Sequence, residues 1–179
     1  MLATPLVVFA YSNGPAPGHT GGFDEPTCHT CHFDNSPDDR SGSLALAGLP
    51  DLYTPGAPYQ LDVTLERPGL VRGGFQLAAR FASGQHKGGQ AGRLERLDDR
   101  SQVLETVSEK GNQVQYVQHT AAGSYSSARD SLTWSLRWIA PETAAAPVAF
   151  HLVANASNDD DSEFGDFIFT REWVSHVAR

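Results

Sequence analysis

Cys28-His29-Thr30-Cys31-His32 sets two thiols three positions apart, with a histidine directly behind the second. This is the spacing that attaches a c-type haem. Each thiol can add across one vinyl group of the macrocycle, giving two thioether bonds. His32 is then placed to bind the iron from the proximal side. Cys28 and Cys31 are the only cysteines among 179 residues, so the spacing does not come from a cysteine-rich background. His29 occupies the variable part of the motif, reads as solvent-exposed and is assigned no iron bond.

Three other chemistries use two cysteines at this spacing. A thioredoxin-like redox pair opens a helix within a βαβ unit. Here Asp24-Glu25-Pro26-Thr27 precedes the motif and Phe33-Asp34-Asn35-Ser36-Pro37 follows it, which reads as loop. A structural zinc site needs four ligands; no second cysteine pair exists, but histidine could complete the set, so zinc remains open. A disulfide between Cys28 and Cys31 remains open in an oxidising compartment. Haem is the leading reading.

A haem iron held by His32 has a sixth position. Met1 is the only methionine and would leave with a processed leader, so His/Met ligation is disfavoured. The nitrogen donors are His19, His86, His119, His151 and His176. His119 is preferred as the distal ligand. It falls where an alternating segment ends, before Thr120, and the small residues Ala121, Ala122 and Gly123 leave room for a flat macrocycle. His86 lies in a Gly-rich loop, His176 near the terminus, and His151 on the face opposite Phe150 and Leu152. His19 is the next choice because it shares the N-terminal loop.

The elements that position these residues read as β-strands. Leu61, Val63 and Leu65 alternate with Asp62 and Thr64. The same period of two runs through Phe75, Leu77, Ala79 and Phe81, through Leu132, Trp134, Leu136 and Trp138, and through Phe150, Leu152 and Ala154. Phe167, Phe169 and Trp173 follow. Arg67-Pro68-Gly69, Gly88-Gly89, Lys110-Gly111-Asn112, Ala140-Pro141 and Asn158-Asp159 separate the runs. No long window carries a helical period. The pattern predicts an all-β fold, an antiparallel β-sandwich over about 43–174, with Trp134, Leu136 and Phe150 facing inward. Residues 13–42, rich in Gly, Pro, Asp and Ser, read as a loop-like haem-attachment segment belonging to the same structural domain as 43–179. A bound haem would serve as its local core.

A net charge of −8 argues against nucleic acid and against an anionic membrane surface. Leu6-Val7-Val8-Phe9-Ala10 is too short to span a bilayer and reads, within residues 1–12, as the remnant of a signal peptide; no Lys or Arg precedes Arg40. A buried N-terminal strand is the alternative. Covalent haem attachment and export both point to a periplasmic or extracellular protein, with no direct membrane span. The acidic loop Asn158-Asp159-Asp160-Asp161-Ser162-Glu163 lacks the spacing of a calcium-binding EF-hand and reads as solvated. Lys87, Arg93 and Arg96 read as ordinary surface.

Several segments resemble a known family. These are Asn13-Gly14-Pro15-Ala16-Pro17-Gly18-His19-Thr20-Gly21 leading into the cysteine motif, Tyr53-Thr54-Pro55-Gly56-Ala57-Pro58-Tyr59, and Gly74-Phe75-Gln76-Leu77. Further on come Tyr116-Val117-Gln118-His119-Thr120-Ala121-Ala122-Gly123, Trp134-Ser135-Leu136-Arg137-Trp138-Ile139-Ala140-Pro141, Ala154-Asn155-Ala156-Ser157-Asn158, and Gly165-Asp166-Phe167-Ile168-Phe169-Thr170. Together they resemble the bacterial Reeler-type domain, also described as choice-of-anchor V. Position 19, commonly arginine in that family, is histidine here. The resemblance implies an immunoglobulin-like sandwich on an exported protein and fixes no activity.

The expected function is electron transfer by one covalent haem c held by Cys28, Cys31, His32 and His119. The expected partners are other redox proteins, in some cases within a larger complex, and the protein is not expected to be an enzyme. A five-coordinate haem enzyme or gas sensor is a minor alternative. The other alternative is a haem-free surface or adhesion module, with Cys28 and Cys31 in a disulfide or a metal site.

Overall fold

A computed structural model of the chain describes residues 12–108, 110–126, 128–143, 145–160, 162 and 164–178. The leader-like residues 1–11 lie outside this range, as do Asp161 and Glu163 of the acidic loop.

Ten strands form two packed sheets. They are β1 (Ser43–Ala47), β2 (Leu52–Tyr53), β3 (Pro58–Glu66), β4 (Arg72–Phe81), β5 (Arg93–Arg96), β6 (Ser101–Val107), β7 (Gln113–His119), β8 (Ser131–Ile139), β9 (Val148–Ser157) and β10 (Phe167–Val177). One sheet runs β1-β3-β8-β5, the other β2-β10-β9-β4-β7-β6. Every pairing is antiparallel except the two-residue contact of β2 with β10, which is parallel. The expected immunoglobulin-like β-sandwich is therefore the fold.

Alternation sets the core. Leu61, Val63 and Leu65 of β3 and Leu132, Trp134, Leu136 and Trp138 of β8 face Phe75, Leu77 and Ala79 of β4 and Phe150, Leu152 and Ala154 of β9, all essentially inaccessible. Trp134, Leu136 and Phe150 point inward as the pattern predicts. Both buried indoles satisfy their N–H group: Trp134 donates to Gly123 O and Trp138 to Ala91 O, each at 2.9 Å.

The six-stranded sheet is covered on both faces. Gly74, Gln76, Ala78 and Arg80 of β4 alternate with its core residues and so face away from the sandwich. Opposite them on β9 are Asn155, Val153, His151 and Ala149. Residues 12–42 lie across this outer face as a strap, and that cover is why all but Arg72 of β4 is buried.

The strap runs out and back. Asn13 O accepts from Gln102 Nε2 at one edge, and Gln76 Nε2 donates to Ala16 O at 3.0 Å. At the far point Phe23 packs its ring on His151 (5.2 Å) and beneath the Arg80 guanidinium (4.5 Å). The Thr20–Thr27 bridge closes the bend. The return limb carries the cysteine motif and reaches β10, where Thr170 N and Oγ1 donate to Asp38. Phe23 and Asp24 both have positive φ (55° and 73°). Holding a bulky side chain in that region costs on the order of 1–2 kcal/mol, offset by the ring's contacts. The strap makes polar and aromatic contacts of its own with the sheet.

Candidate haem-attachment site

The motif forms one tight turn. Thr27 caps a single-turn 3₁₀ helix over Cys28–Thr30, and its hydroxyl accepts from His29 N at 3.3 Å. Cys31 N and His32 N both donate to Cys28 O, at 3.1 and 3.0 Å. In such a turn residues i and i+3 stand on the same side, so Cys28 and Cys31 share one side. Both are free thiols. Cys31 is exposed, whereas burial pushes the Cys28 thiol up to about 12. His29 is half-buried rather than exposed, and its Nε2 lies 3.1 Å from Asn35 O.

His32 is held from behind. Its Nδ1 lies 2.8 Å from Asp166 Oδ2, an ion-pair distance at which the ring N–H is not aligned for a regular hydrogen bond. Asp166 is only 1% exposed. Asn155 Nδ2 donates to the same oxygen at 2.9 Å, and Asn35 Nδ2 donates to Asp166 O at 3.0 Å. Asp34 accepts from Gly165 N. Strap and sheet are therefore locked together around the histidine. Beside it, Phe33 and Phe164 meet edge to face at 5.9 Å, yet stay 57% and 50% exposed.

His119 ends β7, as expected, and is 7% exposed. Its ring lies where a side chain at position 74 would stand: a Cβ on Gly74 would meet His119 Cε1 at 2.2 Å. Gly74 pairs with Asn155, which pairs in turn with Ile168 and bonds Asp166. His119 and His32 therefore occupy the same end of the same sheet face, with Asn155 between them. Phe75 N donates to His119 Nδ1 at 3.1 Å, and Phe75 O lies 3.3 Å from that nitrogen, so either tautomer finds a backbone partner.

The room beside His119 does not come from the residues that sequence reasoning chose. Ala121 and Ala122 are exposed in a turn, and Gly123 is needed because a Cβ there would strike Arg100 O at 1.9 Å. The missing side chain of Gly74 leaves the space that the His119 ring itself fills. His151 is also not a surface residue. It is covered by Gly22 and Phe23, and burial lowers its pKa, with Glu172 opposing. His86 and His176 lie at the other end of the sheet, near Phe81 and Leu52. His19 lies over β4, its N donating to Gln76 Oε1 at 2.7 Å and its Nδ1 3.0 Å from Ala16 O.

Sequence reasoning missed Asp166, Asn155 and Glu25. Glu25 sits on the strap and accepts from buried Arg80, from the Tyr116 hydroxyl and from Thr20 Oγ1. Arg80 alternates with the core residues of its strand and so falls on the outer face, where an arginine is ordinary; nothing local signalled its burial or its partner.

Among the described residues no group of three or more His, Cys, Asp or Glu side chains is arranged to hold a metal ion. None of their helices is long and apolar enough to cross a membrane.

No protein-family model matches the chain, and no curated protein matches it. Some solved structures share its layout at a distance. The Reelin-N domain of F-spondin is 20% identical, covering 79% of this chain and 90% of its own, with a TM-score of 0.46. A human F-spondin reeler domain is 21% identical, covering 83% and 99%, with a TM-score of 0.44. A type II cohesin domain of Acetivibrio cellulolyticus is 5% identical, covering 75% and 95%, with a TM-score of 0.39. Reeler domains, the family the sequence segments resemble, are thus among the structural neighbours. At these identities the likeness assigns no activity.

Proposed function

We propose that the protein is an exported Reeler-type β-sandwich carrying one covalent haem c, and that it transfers single electrons to and from other redox proteins. One observation carries the reading. In the Cys28–His32 turn, His32 Nδ1 stands 2.8 Å from the buried Asp166 carboxylate, and metal-binding histidines commonly have such a partner behind them. Its Nε2, on the other side of the ring, is the nitrogen available to iron. Two further features fit. Cys28 and Cys31 share one side of a single turn, and the exposed Phe33–Phe164 pair offers apolar surface next to them.

When bound, the haem supplies a reversible one-electron couple at its iron. The chain's own residues attach it through Cys28 and Cys31, ligate it through His32 and tune it by burial and charge. His119 is the proposed sixth ligand, because it lies on the same sheet face, one strand pair away from Asn155. A second histidine closes the site to substrate, which makes the protein a carrier rather than an enzyme.

A second reading is a haem-free surface module. The strap's own contacts to the sheet, through Glu25, Asp38 and Gln76, suit this reading too.

The two readings part in one spectrum. Protein made alongside haem-maturation machinery should be coloured and low-spin in both oxidation states. His119→Ala should stay coloured, turn high-spin when ferric and bind carbon monoxide when ferrous. A colourless wild-type protein supports the haem-free module. An unchanged low-spin spectrum in His119→Ala removes His119 and points to His19.

A further inference from the structure

Asp166, 1% exposed, lies where β9 and β10 meet the strap. Its carboxylate has few partners. Oδ2 receives Asn155 Nδ2 at 2.9 Å and lies 2.8 Å from His32 Nδ1. Oδ1 has no hydrogen-bond partner among the described residues, and no Lys or Arg there forms an ion pair with Asp166. Asn155 Oδ1 is likewise buried without a partner. A carboxylate so enclosed needs a proton donor, because burying an uncompensated negative charge is costly. His32 Nδ1–H is the donor within reach.

We propose that Asp166 is a positioning residue for the iron ligand: it fixes His32 in the tautomer protonated at Nδ1 and makes Nε2 a stronger donor to the metal. The inference rests on the haem reading above but concerns a different residue. A carboxylate partner raises the basicity of a ligating imidazole more than a neutral one does. A more basic ligand favours the ferric state, so the chain holds its reduction potential lower than a carbonyl-partnered histidine would. Asn155 and Asn35 serve Asp166 in turn, from β9 and from the strap. Strap docking and potential are therefore linked through one side chain.

The test uses Asp166→Asn and Asp166→Glu in the full chain. In the haem-loaded protein, Asp166→Asn should move the potential in the positive direction, with the haem still attached. Asp166→Glu should return it toward the wild-type value. A potential unchanged in Asp166→Asn overturns the inference while leaving covalent haem intact. A wild-type protein without haem overturns the haem reading instead. A second measurement covers poor loading of the variants. Nitrogen-15 shifts of the His32 ring in unloaded wild-type protein, at one alkaline pH, should report a proton on Nδ1. A proton on Nε2 would overturn the proposed grip whether or not haem is bound.

Discussion

Removing the Glu25 carboxylate should release the strap. Glu25 is 12% exposed and its partner Arg80 2% exposed, so the pair is shielded from solvent screening. Tyr116 and Thr20 donate to the same carboxylate. Burial, together with that carboxylate, holds the Tyr116 phenol well above its usual range, so it remains a donor at neutral pH. Glu25→Ala leaves a buried guanidinium whose remaining described contacts are Gly88 O at 2.7 Å and the Phe23 ring. Breaking such a pair from one side costs about 3–5 kcal/mol. The strap can lift and let water reach Arg80, so the lower end, about 3 kcal/mol, is expected. For a chain of this size that is roughly 6–12 °C in melting temperature. Glu25→Gln keeps hydrogen bonds but not charge and should lose less. Hydrogen exchange locates the effect. The strap amides, such as Gly21 N bonded to Pro26 O, should lose protection before amides of β8 do. A loss under about 1 kcal/mol with unchanged strap protection would refute the claim that this ion pair docks the strap.

The two thiols should differ in the unloaded protein: at pH 8, iodoacetamide should modify exposed Cys31 well before half-buried Cys28, and equal rates by mass spectrometry would contradict the raised Cys28 pKa. Because the Cys28 pKa is raised from 9.0 to about 12, its contribution to stability should be whole below pH 9 and fade as pH climbs toward 12. Gly74→Ala should displace His119, since the added Cβ meets its ring at 2.2 Å, and cost about 1–3 kcal/mol in urea unfolding; no loss would mean the ring moves freely. Trp134→Ala should cost about 3–5 kcal/mol, and a smaller effect would deny it a central place in the core.

The sandwich was legible because its strands obey a period of two on one face, as in Leu61-Asp62-Val63-Thr64-Leu65, and because turn residues punctuate them. The outer face of β4 was not legible as buried. Gln76 and Arg80 are polar, and only the strap, far away in sequence, explains their burial through Ala16 and Glu25. The proposed attachment residues Cys28, Cys31 and His32 were picked out by spacing alone. Their supports were not, since Asp166 is 134 residues from His32 and nothing local marks it. His119 was chosen for its strand end, which stands, and for small neighbours that turn out to serve the turn with Arg100. The ring's seat is the missing side chain of Gly74, on a strand distant in sequence.

Covalent haem at Cys28 and Cys31 is the central claim, and intact mass under denaturing acid tests it most directly. Protein produced with haem-maturation machinery should carry the mass of one haem after acidified organic solvent has removed all loosely held pigment. Replacing both Cys28 and Cys31 by Ala should return the mass to that of the bare chain. A wild-type chain at its bare mass, or one whose haem leaves in the solvent, would contradict the account.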